Sequence, residues 1–406
     1  MNCRICNHLT KKIISFGKMP IANGFLTPEQ FKDEYFFDLA TAFCPHCKMF
    51  QLLEQPDPKM MFHENYVFFS STSKRMADHF EKMAIHYLNE FIPNKKDAFV
   101  VELGSNDGIM LRHFASRGIY HLGVEPSVNV AEVSRQNGVN AISEFFGEET
   151  AKKIKEQYGQ ADIISATNVM CHIPDLRSVG RGVDLLLKDK GVLVFEDPYL
   201  GDMIQKTSYD QVYDEHVYIF SLQSVSNSFK PHGLEVFHVE PQITHGGSMR
   251  YYLARKGAYQ TDVSVKKQLE VEHILDLHKI ETYKQFALHC EKNKNSLVEL
   301  LRTLKKEGKR VVGYAATSKS TTVLNYCGIG SELVEYICDT TPLKQGKFSP
   351  GVHIPIKAYE EFQKDTPDYA VLFAWNHAEE IFSKEKDFEA HGGKWIVFVP
   401  EVRVLE

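Results

Sequence analysis

Val100-Val-Glu-Leu-Gly-Ser-Asn-Asp-Gly-Ile-Met-Leu111 decides the fold. Its first residues favour a buried strand, Gly104 and Gly108 mark a turn, and the run then reads as a helix start. Strand, glycine turn and helix N-terminus, in that order, form the first βα unit of a nucleotide-binding sheet. Glycine lets the backbone approach a ligand where a Cβ would clash. Glu102 lies inside the apolar strand, where a carboxylate is costly unless something engages it. The next strand, Tyr120-His-Leu-Gly-Val-Glu125-Pro126, ends in an acid about twenty residues on, where ribose hydroxyls are gripped in this architecture. The two strand ends together point to a site for an adenosine-containing cofactor.

Downstream, the alternation continues. A short strand is expected at 139–142, a helix over Glu148–Tyr158, and a strand beginning Ala161-Asp-Ile-Ile-Ser-Ala-Thr-Asn168. Asn168 and His172 fall where ligands bind, outside the carboxyl ends of such strands. Gly191-Val-Leu-Val-Phe-Glu196 is a further buried strand, so residues 98–200 read as a doubly wound sheet. Tyr209-Asp-Gln-Val-Tyr213-Asp214-Glu215-His216 then interrupts the pattern with titratable groups. A histidine beside a carboxylate and close to a phenol suits a general base with neighbours that tune it. His245-Gly-Gly-Ser-Met-Arg250 is a glycine turn entering a strand.

Residues 264–306 carry no Gly or Pro and read as one long helical connection. A second α/β pattern starts at Lys309-Arg-Val-Val-Gly313, with strands expected at 332–339 and 368–375 and a closing strand at 395–399. Between them, Thr341-Pro-Leu-Lys344-Gln-Gly-Lys347 opens a basic loop whose amides and lysines suit a phosphate group.

Upstream, Cys3-x-x-Cys6 and Cys44-x-x-Cys47 each aim two thiolates at one ion, and together they complete a tetrahedral structural zinc site. The long insert at 7–43 implies extra strands. At 406 residues the chain holds more than one domain, and its eight cysteines suit thiols or metal better than a disulfide framework. A net charge of −6 argues against general nucleic-acid binding, and no apolar run is long enough to span a bilayer. Met1-Asn-Cys-Arg-Ile-Cys has no apolar leader region, so a cytoplasmic protein with no membrane, nucleic-acid or evident protein partner is expected.

Taken together, these stretches resemble the class I S-adenosylmethionine-dependent methyltransferases that modify nucleotide-linked sugars. The resemblance is greatest to the sugar 3-C-methyltransferases of deoxysugar biosynthesis. It rests on the four cysteines, Glu102-Leu-Gly-Ser-Asn106-Asp-Gly108, Tyr213-Asp-Glu-His216, His245-Gly-Gly-Ser248-Met-Arg250 and Lys344-Gln-Gly-Lys-Phe-Ser-Pro-Gly-Val-His-Ile-Pro355. It implies an α/β protein in three parts: a zinc-ribbon-like domain over 1–72, a doubly wound methyltransferase core over 73–260, and a Rossmann-like α/β domain over 261–406. S-adenosylmethionine would be held by Glu102, Gly104, Asn106, Gly108, Glu125, Pro126 and Asn168. His216 would be the base, supported by Tyr213, Glu215, His172 and Tyr66. His245, Arg250, Lys344 and Lys347 would hold the nucleotide-sugar. The reaction implied is methylation of a carbon, C-3, of a nucleotide-linked 4-keto-deoxysugar through an enolate. An O- or N-methyltransferase acting on another phosphorylated acceptor would share every cofactor residue and is the alternative.

Overall fold

Buried strands alternating with helices require a parallel sheet covered on both faces, and the chain builds two of them. The structure is a computed structural model that describes all residues except 63–68, 73, 94–96 and 406. The central sheet comprises β4 (Phe99–Leu103), β5 (Tyr120–Val124), β6 (Ala141–Ile142), β7 (Ala161–Thr167), β8 (Leu187–Pro198), β10 (Leu234–Gln242) and β11 (Ser248–Arg255), in the order β10-β11-β8-β7-β4-β5-β6. β11 runs antiparallel between β8 and β10, and the pairings of β4 through β8 are parallel. β4 and β7 are buried at every residue, which explains their unbroken apolar reading. The order reverses between β4 and β7, so a crevice opens at their carboxyl ends.

The C-terminal sheet has the order β14-β13-β12-β15-β16-β17. Its strands are β12 (Val311–Tyr314), β13 (Ile337–Asp339), β14 (Ile356–Ala358), β15 (Tyr369–Leu372), β16 (Lys394–Val397) and β17 (Arg403–Leu405). Its crevice lies between β12 and β15. The expected closing strand at 395–399 is corrected: β16 is followed by β17, which pairs antiparallel and forms the edge.

The third sheet carries the insert between the cysteine pairs. β1 (Lys11–Pro20) and β2 (Phe36–Phe43) form its hairpin, β3 (Phe50–Leu52) comes next, and β9 (Tyr218–Ile219) joins from far along the chain. Phe50 pairs with Ile219 and Gln51 with Tyr218, so the strand after the His216 loop completes the N-terminal sheet.

The expected single connection over 264–306 is two helices, Val263–Ile274 and Ile280–Lys306. The longer one is no mere connector. It buries Tyr283, Phe286, Cys290, Leu297, Leu301 and Leu304 at helical spacing in one core shared with the N-terminal and C-terminal sheets. Tyr283 stacks on Phe43 at 4.2 Å between centroids, and Asn293 Nδ2 donates to the Phe398 carbonyl at 2.6 Å. Among the described residues no helix is long and apolar enough to cross a membrane.

Because Leu297 is fully buried at this joint, Leu297→Ala is expected to cost about 2–5 kcal/mol. Urea unfolding checks this, and an unchanged midpoint would make the helix peripheral.

Candidate active site

β4 ends at Leu103, and Gly104 turns the chain at φ 61° while its N–H bonds the Val124 carbonyl at 2.8 Å. A Cβ there would lie 2.3 Å from Val169 Cγ2, and one at Gly108 would lie 2.9 Å from Val139 Cγ2. Both turns therefore need glycine for packing as well as for backbone conformation. Asn106 sits at φ 49°, a left-handed conformation that Asn tolerates better than most residues. Its N–H donates to Glu125 Oε2 at 3.0 Å, and the Ser127 N–H donates to Oε1 at 2.9 Å. One carboxylate thereby ties the ends of β4 and β5 together, with Pro126 half-buried between. The Ser70 N–H donates to Asn106 Oδ1 at 2.9 Å and the Ser71 N–H to Asp107 Oδ2 at 3.0 Å, so this segment lies over the turn.

Among the described residues, Glu102 Oε2, Asp107 Oδ1 and Asn168 Oδ1 are buried without a hydrogen-bond partner. Burial, then the charges of Asp107 and Glu125, push the Glu102 carboxyl well above its usual range. Burial also raises Glu125, against the pull of the Ser127 and Asn106 N–H groups. Three acids crowd one glycine turn with buried oxygens left over, and the raised carboxyls of Glu102 and Glu125 mark a site short of donors and positive charge. A ligand bearing an ammonium and a sulfonium supplies the missing donors and positive charge. S-adenosylmethionine fits that demand.

The His216 loop lies beyond the end of β7. His216 Nδ1 faces the Gln211 carbonyl at 2.7 Å, which can only accept, so Nδ1 carries the proton. Nε2 is then the acceptor and meets the Tyr213 hydroxyl at 2.8 Å. The His172 ring stacks 5.3 Å from that of His216, and its Nε2 is a buried orphan among the described residues. Burial, then His172, holds His216 well below the ordinary histidine range, and burial brings His172 down to about 4. Both rings are neutral at pH 7. Glu215 is buried, its Oε1 accepts from Asn23 Nδ2 at 2.8 Å, and burial raises it to about 7. Tyr66 lies outside the described residues.

The C-terminal sheet presents its own crevice to this loop. Lys319, in the first turn of helix Ser318–Cys327, is buried, its Nζ 3.3 Å from the His245 carbonyl and 5.3 Å from the Trp375 ring centroid. Trp375 Nε1 donates to Asp210 at 2.6 Å. The Gln211 amide also bonds the His245 carbonyl, and burial holds His245 at about 3. Lys344 Nζ donates to the Ala316 carbonyl at 2.8 Å, with Asp339 3.7 Å away, while Lys347 is half-buried on the same loop.

Arg250 lies on β11. Its guanidinium bonds Glu196 at 2.7 and 3.0 Å and Glu240 at 3.2 Å, so two carboxylates fix it in place. Burial works to raise Glu196, but His79 and Arg250 hold it at about 2. Sequence reasoning missed Asn23, Asp210, Gln211, Lys319 and Trp375. Asp210, Gln211, Lys319 and Trp375 all stood in stretches read for their strands, turns or titratable groups, whereas Asn23 stood in none.

The cysteine pairs converge as their spacing requires. All four sulfurs lie within 4.8 Å of one another, with Cys3–Cys47 and Cys6–Cys44 each at 3.5 Å. A tetrahedral ZnS4 centre has sulfur–sulfur edges of about 3.8 Å, so the set fits zinc. The knuckles are alike. Asn7 and Lys48, each just after a second cysteine, adopt φ 60° and 64°, and their N–H groups bond the Cys3 and Cys44 carbonyls at 3.0 and 2.9 Å. Gln51 Nε2 donates to Cys3 Sγ at 3.2 Å, a partner for a thiolate ligand.

The strand order of the central sheet, the acidic glycine turn and the four-cysteine centre define a zinc-bearing class I S-adenosylmethionine-dependent methyltransferase. Families described as a C-methyltransferase C-terminal domain, a methyltransferase domain and a domain for zinc binding match residues 243–400, 76–239 and 3–62. The chain is 34% identical over 407 residues to the C-methyltransferase NovU of Streptomyces niveus, covering 99% of this chain and 96% of that protein. It therefore belongs to the C-methyltransferase family. A ubiquinone biosynthesis O-methyltransferase of Acinetobacter baylyi is 27% identical over 116 residues, 28% of this chain and 49% of that protein. A magnesium protoporphyrin IX methyltransferase of Synechocystis, solved with bound SAH, is 11% identical at a TM-score of 0.35, over 44% of this chain and 83% of that one.

Structural zinc binding is part of the folding free energy. Cys44→Ser is therefore expected to lose the metal, read by elemental analysis of protein purified without chelator, and to melt at lower temperature. Wild-type protein without zinc would refute the assignment.

Proposed function

We propose that this C-methyltransferase acts on a nucleotide-linked 4-keto-deoxysugar, adding the methyl group at C-3, with His216 as the base. The observation that carries the reading is the tautomer of His216. Its Nδ1–H is tied to the Gln211 carbonyl, which leaves a basic Nε2 beside the Tyr213 hydroxyl. A C–H bond next to a ketone is weakly acidic, so proton removal needs a neutral imidazole and donors for the developing enolate oxygen. Burial supplies the first. Nε2 takes the carbon-bound proton, the electron pair moves onto the ketone oxygen, and the Tyr213 hydroxyl turns from Nε2 to that oxygen. His172 is the second donor on offer, and Glu215 accepts from a sugar hydroxyl. Tyr66 belongs with this group by resemblance.

S-adenosylmethionine supplies the electrophilic methyl group when bound. In this reading Glu125 takes the ribose hydroxyls, while Glu102, Asn106 and Asn168 line the turn at Gly104 and Gly108 beside Pro126. His245, Lys344 and Lys347, joined by Lys319, face the anionic part of the substrate. The division into residues 1–72, 73–260 and 261–406 then assigns zinc, methyl donor and nucleotide to successive segments.

For the cofactor, Glu125→Ala is expected to weaken S-adenosylmethionine by roughly 1.5–3 kcal/mol, the range for hydrogen bonds to a charged group. Titration calorimetry measures it, and unchanged affinity would place the ribose elsewhere.

For the base, His216→Asn is expected to retain cofactor affinity and lose on the order of a hundredfold or more in turnover. With an inert cofactor analogue in D₂O, wild-type enzyme exchanges the acceptor C–H and His216→Asn does not. Normal exchange in His216→Asn with none in His172→Asn would transfer the role to His172. NMR of the product separates a new C–CH₃ from the O–CH₃ that other acceptor chemistry would give.

A further inference from the structure

The sheet that carries the zinc centre sends one loop into the active-site seam. After β1 the chain runs Ile21-Ala22-Asn23-Gly24, and Ala22 is fixed at both backbone poles. Its N–H donates to Asp214 Oδ1 at 3.1 Å, and its carbonyl accepts from Thr321 Oγ1 at 2.9 Å. Asp214 belongs to the His216 loop and Thr321 to helix Ser318–Cys327. The next side chain spans the same gap. Asn23 Nδ2 donates to Glu215 Oε1 at 2.8 Å, and Asn23 Oδ1 accepts from Ser318 Oγ at 3.0 Å. The orientation of the amide is set by its partners. The Ser318 hydroxyl donates to Asn23 Oδ1, which leaves the NH₂ for Glu215 Oε1.

We infer that Asn23 is a positioning residue for methyl transfer, holding the Glu215 carboxylate as the acceptor for a substrate hydroxyl. The inference rests on the reading of Glu215 as a site residue. Holding Ala22 by its backbone fixes the loop independently of the Asn23 side chain, so the amide is free for this task. A donated N–H favours the charged form of a carboxylate. Burial pushes Glu215 up to about 7, and Asn23 is the group that opposes the rise. The titratable groups that face Glu215 are Asp214 on its own loop and Cys171 from the turn after β7, with His216 next in sequence. Asp214 and Cys171 are acids that burial raises well above their usual ranges, and His216 is held neutral. None of these supplies the cation that would keep Glu215 ionised. Without the amide, Glu215 is protonated over more of the neutral range and donates where it is needed to accept.

The test is the pH profile of kcat/KM for wild type, Asn23→Ala, Ser318→Ala and Glu215→Gln, with zinc content and thermal melting as controls for folding. In the wild type, activity rises as Glu215 ionises through about 7. Asn23→Ala is expected to move that limb to higher pH, with turnover near neutrality down about tenfold and largely recovered about two units higher, the scale of one hydrogen bond to a charged group. Ser318→Ala loosens the far end of the amide and moves the limb the same way by less. A loss equal at every pH, or no loss, in Asn23→Ala overturns the inference. Should Asn23→Ala not fold, an unshifted limb in Ser318→Ala overturns it instead. If Glu215→Gln turns over like wild type, the site reading of Glu215 fails and takes the inference with it. If Glu215→Gln is inactive while the Asn23→Ala limb stays put, only the role of Asn23 fails.

Discussion

Burying the loop 209–216 is the constraint on which the architecture depends. Asp210, Asp214, Glu215 and His216 are all removed from water, and each would destabilise the fold if left without a partner. The partners come from every part of the chain. Trp375 reaches Asp210 from the C-terminal segment, the Ala22 N–H reaches Asp214 and Asn23 reaches Glu215 from the N-terminal sheet, and Gln211 and Tyr213 serve His216 locally. No one sheet could dehydrate this loop alone. The helix Ile280–Lys306 and strand β9 hold the three sheets close enough to do it together.

The two crevices that face the loop bury different residue types, carboxyls in one and lysines paired with carboxylates in the other. At the end of β4 stand Glu102, Asp107 and Glu125, buried and short of donors. At the end of β12 stand Lys319 and Lys344, both depressed by burial, with Asp210 and Asp339 respectively pulling the other way. In the proposed function the cationic methyl donor takes the first crevice and the phosphorylated acceptor the second, with the neutral imidazole of His216 between them. The neutrality matters there, since a charged base would favour one side over the other.

Much of the fold was legible because buried parallel strands read as apolar runs and paired cysteines read as metal knuckles. The breaks that escaped notice have no such letters. Helices Val263–Ile274 and Ile280–Lys306 separate near Asp276 at φ 52°, without glycine or proline. β9 is two residues long, and its identity comes from β3. In the site, the acids at strand ends and the His216 loop were visible as residue types. The groups that set their chemistry were not, because the Gln211 carbonyl and the Ala22 N–H are backbone atoms and Asn23 and Trp375 arrive from distant segments. The carboxylate partners of Arg250 are hidden for a related reason. Arg250 pairs in register with Glu196 on β8, and cross-strand register is invisible until the sheet order is known.

The pairing of Phe50–Gln51 with Tyr218–Ile219 has a consequence for how the protein is made. As the chain leaves the ribosome, the cysteine knuckles and the β1–β2 hairpin are available early, but β3 keeps an unpaired edge until most of the central sheet has been synthesised. A contact of such wide sequence separation forms late and slowly, and an open strand edge is a template for unwanted association in the meantime. The zinc-bearing sheet is therefore finished by its neighbour rather than before it. A fragment ending shortly after β3 would keep its metal ligands and still lack its last strand.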